Sequence, residues 1–119
     1  MILLVEDDDL VRELLRDLLE SAGYTVVEAS SGEEALRVAE GGTLDLGLVV
    51  TDIDLPGLDG ATLAQRLRGP RPDIAVLYVS GNPVDLAAGG AVGGRVGSLS
   101  KPFTRELLLG KVRALLGTP

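Results

Sequence analysis

Four short stretches of the chain each end where mainly apolar residues meet a polar residue with chemistry of its own. Ile2–Val5 runs into Glu6 and Asp7, and Leu46–Val50 runs into Thr51 and Asp52. Ile74–Val79 runs into Ser80, and Val96–Ser100 runs into Lys101 and Pro102. Stretches this short, separated by helix-like segments, read as buried parallel strands. In an open α/β sheet, ligands bind beyond the carboxyl ends of such strands. The pattern therefore gathers acids, a hydroxyl and a lysine along one edge, the equipment for handling a metal ion and a phosphoryl group.

The segments between the strands carry the period of helices, giving five strands and five helices in alternation. Strands are predicted at about 2–6, 25–29, 46–51, 74–79 and 95–100. The first helix, about 9–22, carries Leu10, Leu14, Leu15, Leu18 and Leu19 at helical spacing. Asp9 is placed to cap its start, and Gly23 sits where a left-handed C-terminal residue belongs. Ser31 and Glu34 form a capping box for a second helix over about 32–40, ended by Gly41 and Gly42. Pro56, Gly57 and Gly60 mark 52–60 as a loop. A third helix follows at about 60–68, for which Asp59 is a cap, and Gly69 and Pro70 end it. The last helix, about 104–116, starts at Thr104 and carries Leu107, Leu108, Val112, Leu115 and Leu116. Regular βα alternation implies right-handed crossovers and a parallel sheet with helices on both faces.

The fourth helix is the weak point. Gly89, Gly90, Gly93 and Gly94 crowd the second half of 83–94, and each costs about 1 kcal/mol relative to Ala inside a helix. A short helix near 83–88 followed by a loose connection is expected.

Composition narrows the chemistry. At 119 residues, the chain reads as one domain over 1–119 with enough apolar content for a core. It has no Cys and no His, which excludes a thiol nucleophile, a histidine base and imidazole or thiolate metal ligands. The net charge of −7 argues against non-specific nucleic-acid or anionic-membrane binding and suits protein partners. Ile2–Val5 is far too short to span a bilayer, and no basic region precedes an apolar stretch as in a signal peptide. A cytoplasmic location follows by default, and no output domain is expected on this chain.

Glu6, Asp7 and Asp52 would meet at neighbouring strand ends, where three carboxylates repel one another unless a cation joins them. Magnesium prefers octahedral oxygen coordination and keeps several waters. Two or three carboxylates with a backbone carbonyl from 53–55 would suit it. Asp8 and Asp9 read better as solvated acids or helix caps. Asp52 is the candidate nucleophile, since a carboxylate accepts a phosphoryl group as an aspartyl phosphate. Lys101 is placed to reach a phosphoryl oxygen or, without one, to pair with Asp52. Ser80 is a candidate donor to that oxygen, although its Ser-Gly-Asn-Pro context reads equally as a turn. Thr51, Asp54 and Asn82 are lesser candidates, with Thr51 expected to face away from Asp52.

With these residues in order, the chain resembles the receiver domains of bacterial two-component response regulators over essentially its full length. Glu6-Asp7, Asp52 in the 51–60 motif, Ser80 and the Lys101-Pro102-Phe103 run carry the resemblance. It implies a flavodoxin-like, doubly wound five-stranded parallel sheet of order 2-1-3-4-5, with five helices, the fourth short or irregular. It implies that Asp52 takes a phosphoryl group from a phosphohistidine on a histidine kinase or histidine phosphotransfer domain. It also implies that Mg²⁺ is held by Asp7, Asp52, Glu6 through water and the Asp54 backbone carbonyl, while Lys101 and Ser80 contact the phosphoryl group. Such a domain is a signalling phosphoacceptor that assists its own phosphorylation and dephosphorylation, not a conventional enzyme. It works alone or within a larger protein such as a hybrid sensor kinase, and a homodimer through the last helix is one option.

Two departures stand out. Receivers usually carry a switch Tyr or Phe three residues before the lysine, where this chain has Ser98. The other is the glycine-rich 83–94 segment, beside the usual output face of the fourth helix, fifth strand and fifth helix. A weak switch, or one that orders the fourth helix, is therefore expected. Tyr78 is an alternative aromatic, but packing in a buried strand explains it better. Two other functions compete. The Asp52-x-Asp54 pair imitates haloacid-dehalogenase phosphatases, but leaves Glu6 and Asp7 unexplained and lacks a substrate cap. A receiver fold used only for interaction would not need to keep both Asp52 and Lys101.

Overall fold

The computed structural model describes residues 1–41, 45–81 and 95–117. Its strands are β1 (Ile2–Val5), β2 (Val26–Ala29), β3 (Leu48–Asp52), β4 (Ala75–Ser80) and β5 (Val96–Ser100). Its helices are α1 (Asp9–Ser21), α2 (Gly32–Glu40), α3 (Gly60–Arg68) and α4 (Arg105–Leu116). Four helices therefore stand among the described residues where five were expected, and α4 is the expected fifth. The short helix expected near 83–88, the candidate Asn82 and the helix-ending Gly42 lie outside the described residues.

All strand pairs are parallel, in the order β2-β1-β3-β4-β5. The sheet has a core on each face. Leu3, Val5, Val49, Val76 and Tyr78 meet Ala35 and Ala39 of α2 and Leu63, Ala64 and Leu67 of α3. Ile2, Leu4, Leu48, Val50, Leu77 and Val79 meet Leu15 and Leu19 of α1 and Leu108, Leu109 and Val112 of α4. Because successive side chains point to opposite faces, strands buried on both sides read as unbroken apolar runs. Each fully buried Leu or Ile here is worth about 2 kcal/mol.

The helix ends show how local chemistry fixes the boundaries. Asp8, not Asp9, caps α1, accepting from the Leu10 and Val11 amides at 3.0 and 3.1 Å. Asp9 instead occupies the first helical position and pairs with Arg12. Ser31 accepts from the Glu34 amide at 3.0 Å, but Glu34 turns to the Ser30 hydroxyl, so only half of the expected capping box forms. Asp59 caps α3 and Thr104 caps α4 as expected. Gly23 takes φ 99°, the left-handed turn after α1.

The apolar stripes are wider than the buried faces. Leu10, Leu14 and Leu107 stand exposed, at 78%, 59% and 53%. Rotation about the helix axis puts Leu15 and Leu19 against the sheet in α1, and Leu108, Leu109 and Val112 in α4. No helix among the described residues is long and apolar enough to cross a membrane.

Candidate functional site

The central strands β1 and β3 lie side by side and end together, with Val5 in register with Thr51. Glu6 and Asp7 follow one end, and Asp52 closes the other. One oxygen from each of Glu6, Asp7 and Asp52 lies within 4.8 Å of the other two. Asp7 is exposed, Asp52 is half-buried, and Glu6 is buried at 3% exposure. The expected acidic cluster therefore forms.

Two backbone contacts hold Glu6 in place. Its Oε1 accepts from the Asp8 amide at 3.2 Å, and its carbonyl accepts from Arg12 Nη1 at 2.9 Å. Arg12 also pairs with Asp9 and reaches Glu28 on β2. Arg12 was not among the residues expected at the site. Its i,i+3 spacing from Asp9 reveals the surface pair, but nothing in the spacing reveals the contact to the Glu6 carbonyl.

Asp52 uses both oxygens. Oδ1 accepts from the Asp54 amide at 3.0 Å, and Oδ2 accepts from Lys101 Nζ at 3.1 Å. Lys101 Nζ also stands 3.7 Å from Glu6 Oε2. Lys101 is brought there because its amide donates to the Ser80 carbonyl at 2.9 Å as β5 ends beside β4. The Ile53 amide donates to the Val79 carbonyl at 3.1 Å, so the edge of the site runs without a break from β3 to β5.

Ser80 is fully buried at the end of β4, in register with Ser100. Thr51 is buried and donates to the Asp52 carbonyl at 3.0 Å. The core faces show that Thr51 points away from Asp52. Val49 packs on the α2 and α3 side, whereas Val50 packs on the α1 and α4 side, and alternation puts Thr51 with the first and Asp52 with the second. Asp54 is exposed, with its amide turned to Asp52. Ser98 is exposed and in register with the buried Tyr78, whose ring belongs to the core under α2 and α3.

The electrostatics follow from this packing. Burial pushes the Glu6 carboxyl above its ordinary value of 4.5; the Asp8 amide and Lys101 oppose the rise, and the charge of Asp52 adds to it. For Lys101, burial disfavours the ammonium, but the hydrogen bond to Asp52 and the attraction of Glu6 and Asp52 outweigh it, and its pKa stands above the ordinary 10.5. One lysine thus offsets two acids, while Asp7 adds a third.

The donors suit a small hard cation. Metal–oxygen distances of about 2.1 Å put octahedral neighbours about 3 Å apart and opposite ligands about 4 Å apart. An acid set spanning up to 4.8 Å fits one such shell when one member acts through water.

Comparison with known proteins shows the family and the fold. The response regulator receiver domain family matches residues 2–113. The sensor kinase CckA of Brucella abortus is 43% identical over 118 residues, covering 97% of this chain and 12% of the kinase. The transcriptional regulatory protein FixJ of Azorhizobium caulinodans is 38% identical over 114 residues, covering 95% of this chain and 53% of the regulator. The chain therefore spans about an eighth of one relative and about half of the other. A crystal structure of the receiver domain from the hybrid histidine kinase CckA superposes with a TM-score of 0.80 at 37% identity, covering 97% of each chain. A response regulator receiver domain protein from Clostridium thermocellum gives a TM-score of 0.87 at 28% identity, covering 97% of this chain and 92% of that one.

Proposed function

The chain belongs to the response regulator receiver domain family, and from that premise we propose that residues 1–119 form one receiver unit whose phosphoacceptor is Asp52. Its role is that of a phosphoacceptor in two-component signalling. The comparisons favour neither the phosphatase nor a purely structural interaction module. The assignment of Asp52 rests on one observation above all. It is the acid that shares a cation-sized cluster with Glu6 and Asp7 while holding a lysine at 3.1 Å.

The donor is a phosphohistidine on a histidine kinase or histidine phosphotransfer domain that meets this chain in the cytoplasm. A carboxylate oxygen of Asp52 forms an O–P bond as the P–N bond of the phosphohistidine breaks, and the imidazole leaves with that electron pair. Mg²⁺, held by Asp7, Asp52, the Asp54 backbone carbonyl and Glu6 through water, would neutralise the phosphoryl oxygens and favour in-line attack. Lys101 exchanges its bond to Asp52 for one to a phosphoryl oxygen. Ser80 donates its hydroxyl to another, drawn toward the phosphoryl group from the end of β4. Glu6, tied to the Asp8 amide and Arg12, keeps the acidic loop in register with Asp52.

Labelling with acetyl phosphate tests the assignment. In Mg²⁺ the wild-type protein gains one phosphoryl group by intact mass, and Asp52→Asn gains none. Labelling that survives Asp52→Asn moves the acceptor elsewhere. Wild-type protein that stays unlabelled with both acetyl phosphate and a phosphorylated histidine donor overturns the phosphoacceptor reading itself.

A further inference from the structure

We propose that Glu33, in the first turn of α2, is a positioning residue for the cation site because it latches the loop that presents the Asp54 carbonyl. The proposal rests on the assignment of that carbonyl as a metal ligand. The loop runs from Asp52, at the end of β3, to Gly60, where α3 begins.

Two hydrogen bonds within the loop secure its two ends. The Asp54 amide donates to Asp52 Oδ1 at 3.0 Å, and the Gly60 amide donates to the Ile53 carbonyl at 3.3 Å. The tip is secured from outside. The Leu58 amide donates to Glu33 Oε1 at 3.3 Å, across 25 residues of sequence. Two close approaches show that α2 and the loop tip are fitted to each other. Gly57 has φ +76°, and a Cβ there would stand 2.9 Å from Glu33 Oε2. Gly32 faces Leu58 so closely that a Cβ would stand 2.7 Å from the Leu58 carbonyl oxygen. A Glu in the first turn also has a general role, since its charge favours the helix N-terminus. That role alone would not require the approach at Gly32, where the Leu58 carbonyl leaves no room for a Cβ, whereas Gly57 is favoured as glycine by its positive φ.

The carboxylate therefore spans from the helix that follows the edge strand β2 to the loop beside the acceptor. Without it, the tip gains freedom and the Asp54 carbonyl must be ordered when the cation binds. Glu33 is itself exposed, so its replacement leaves both cores intact.

Three variants separate reach from charge, with Mg²⁺ affinity read by titration calorimetry on the whole chain. Glu33→Gln keeps an acceptor oxygen at the same reach and loses the charge. Glu33→Asp keeps the charge and loses one methylene of reach. Glu33→Ala loses both. Loss of one hydrogen bond of this kind corresponds to about three- to tenfold in affinity. Glu33→Asp and Glu33→Ala are expected to bind Mg²⁺ that much more weakly, and Glu33→Gln to stay within about twofold of wild type. Exchange of the Leu58 amide is expected to quicken in the same two variants. Wild-type affinity in Glu33→Ala overturns the latch and leaves the site standing. Equal weakening in Glu33→Gln and Glu33→Ala, with Glu33→Asp like wild type, assigns the effect to charge and also overturns it. A wild-type protein that takes up no Mg²⁺ overturns the cation site as well.

Discussion

Lys101 stands 3.1 Å from Asp52 and 3.7 Å from Glu6, so a single ammonium from the end of β5 offsets acids at the ends of two other strands. Removing one partner of a fully buried ion pair costs about 3–5 kcal/mol. Lys101 keeps about a third of its side chain in solvent, and screening reduces the expected cost of Lys101→Met to about 1–2 kcal/mol. Thermal unfolding of Lys101→Met without Mg²⁺ is expected to show that loss, and the double variant with Asp52→Asn to recover part of it. Additive losses in the double variant would mean that the two side chains are not energetically coupled.

Glu6 gives the protein a pH response of a particular sign. Its folded pKa is raised above 4.5, so just above pH 4.5 the folded state holds a proton that the unfolded state has released. The stability due to this proton is full at low pH and is lost as pH rises through the folded pKa. Glu6→Gln mimics the protonated form. In Mg²⁺-free buffer it is expected to melt above wild type at pH 7, and to converge with wild type as pH falls toward 4.5. A difference that grows on acidification would contradict the assigned direction.

Magnesium should reverse the cost of gathering these acids. A ligand present at ten times its dissociation constant stabilises the folded state by about 1.4 kcal/mol. Mg²⁺ is expected to raise the melting temperature of the wild-type protein, but hardly that of Asp7→Asn or Asp52→Asn. Without the ion, Asp7→Asn is expected to melt no lower than wild type, because it relieves repulsion in the cluster. A Mg²⁺-induced rise in Asp7→Asn equal to that of wild type would remove Asp7 from the ligand set.

The strands and the acidic cluster were legible because they rest on unbroken apolar runs and on strand ends. Ile2–Val5, Leu48–Asp52 and Ala75–Ser80 carry a signal at every residue, and the topology of a parallel sheet brings Glu6, Asp7, Asp52, Ser80 and Lys101 to one edge. What was not legible depends on rotation and reach. Leu10 and Leu14 share the helical spacing of Leu15 and Leu19, and only the docking angle of α1 leaves them in water. Glu33 and Leu58 carry no mark of their contact, since a side chain meeting a loop amide across 25 residues leaves no periodic trace. Nor could spacing tell that Glu34 would turn to Ser30 instead of completing its capping box.

Gly60 joins the acceptor to the helix behind it. A Cβ at this position would stand 2.6 Å from the Asp52 carbonyl oxygen and 3.1 Å from Ile53 Cα. Both neighbours are backbone, so no side chain can swing aside, and the loop or the strand end must shift. Overpacking of this kind costs about 1–3 kcal/mol, whereas Ala in a helix is otherwise favoured over Gly by about 1 kcal/mol. Gly60→Ala is therefore expected to lower stability, and to slow acetyl-phosphate labelling of Asp52 by more than the unfolded fraction explains. Gly110, in the middle of α4, meets nothing within 4 Å, and Gly110→Ala is expected to raise stability by the propensity difference alone. Denaturant unfolding of the two variants, paired with their labelling rates, separates a crowded strand end from a general effect of helical glycine. Equal stabilisation by both substitutions would show that the contact at Gly60 imposes no constraint.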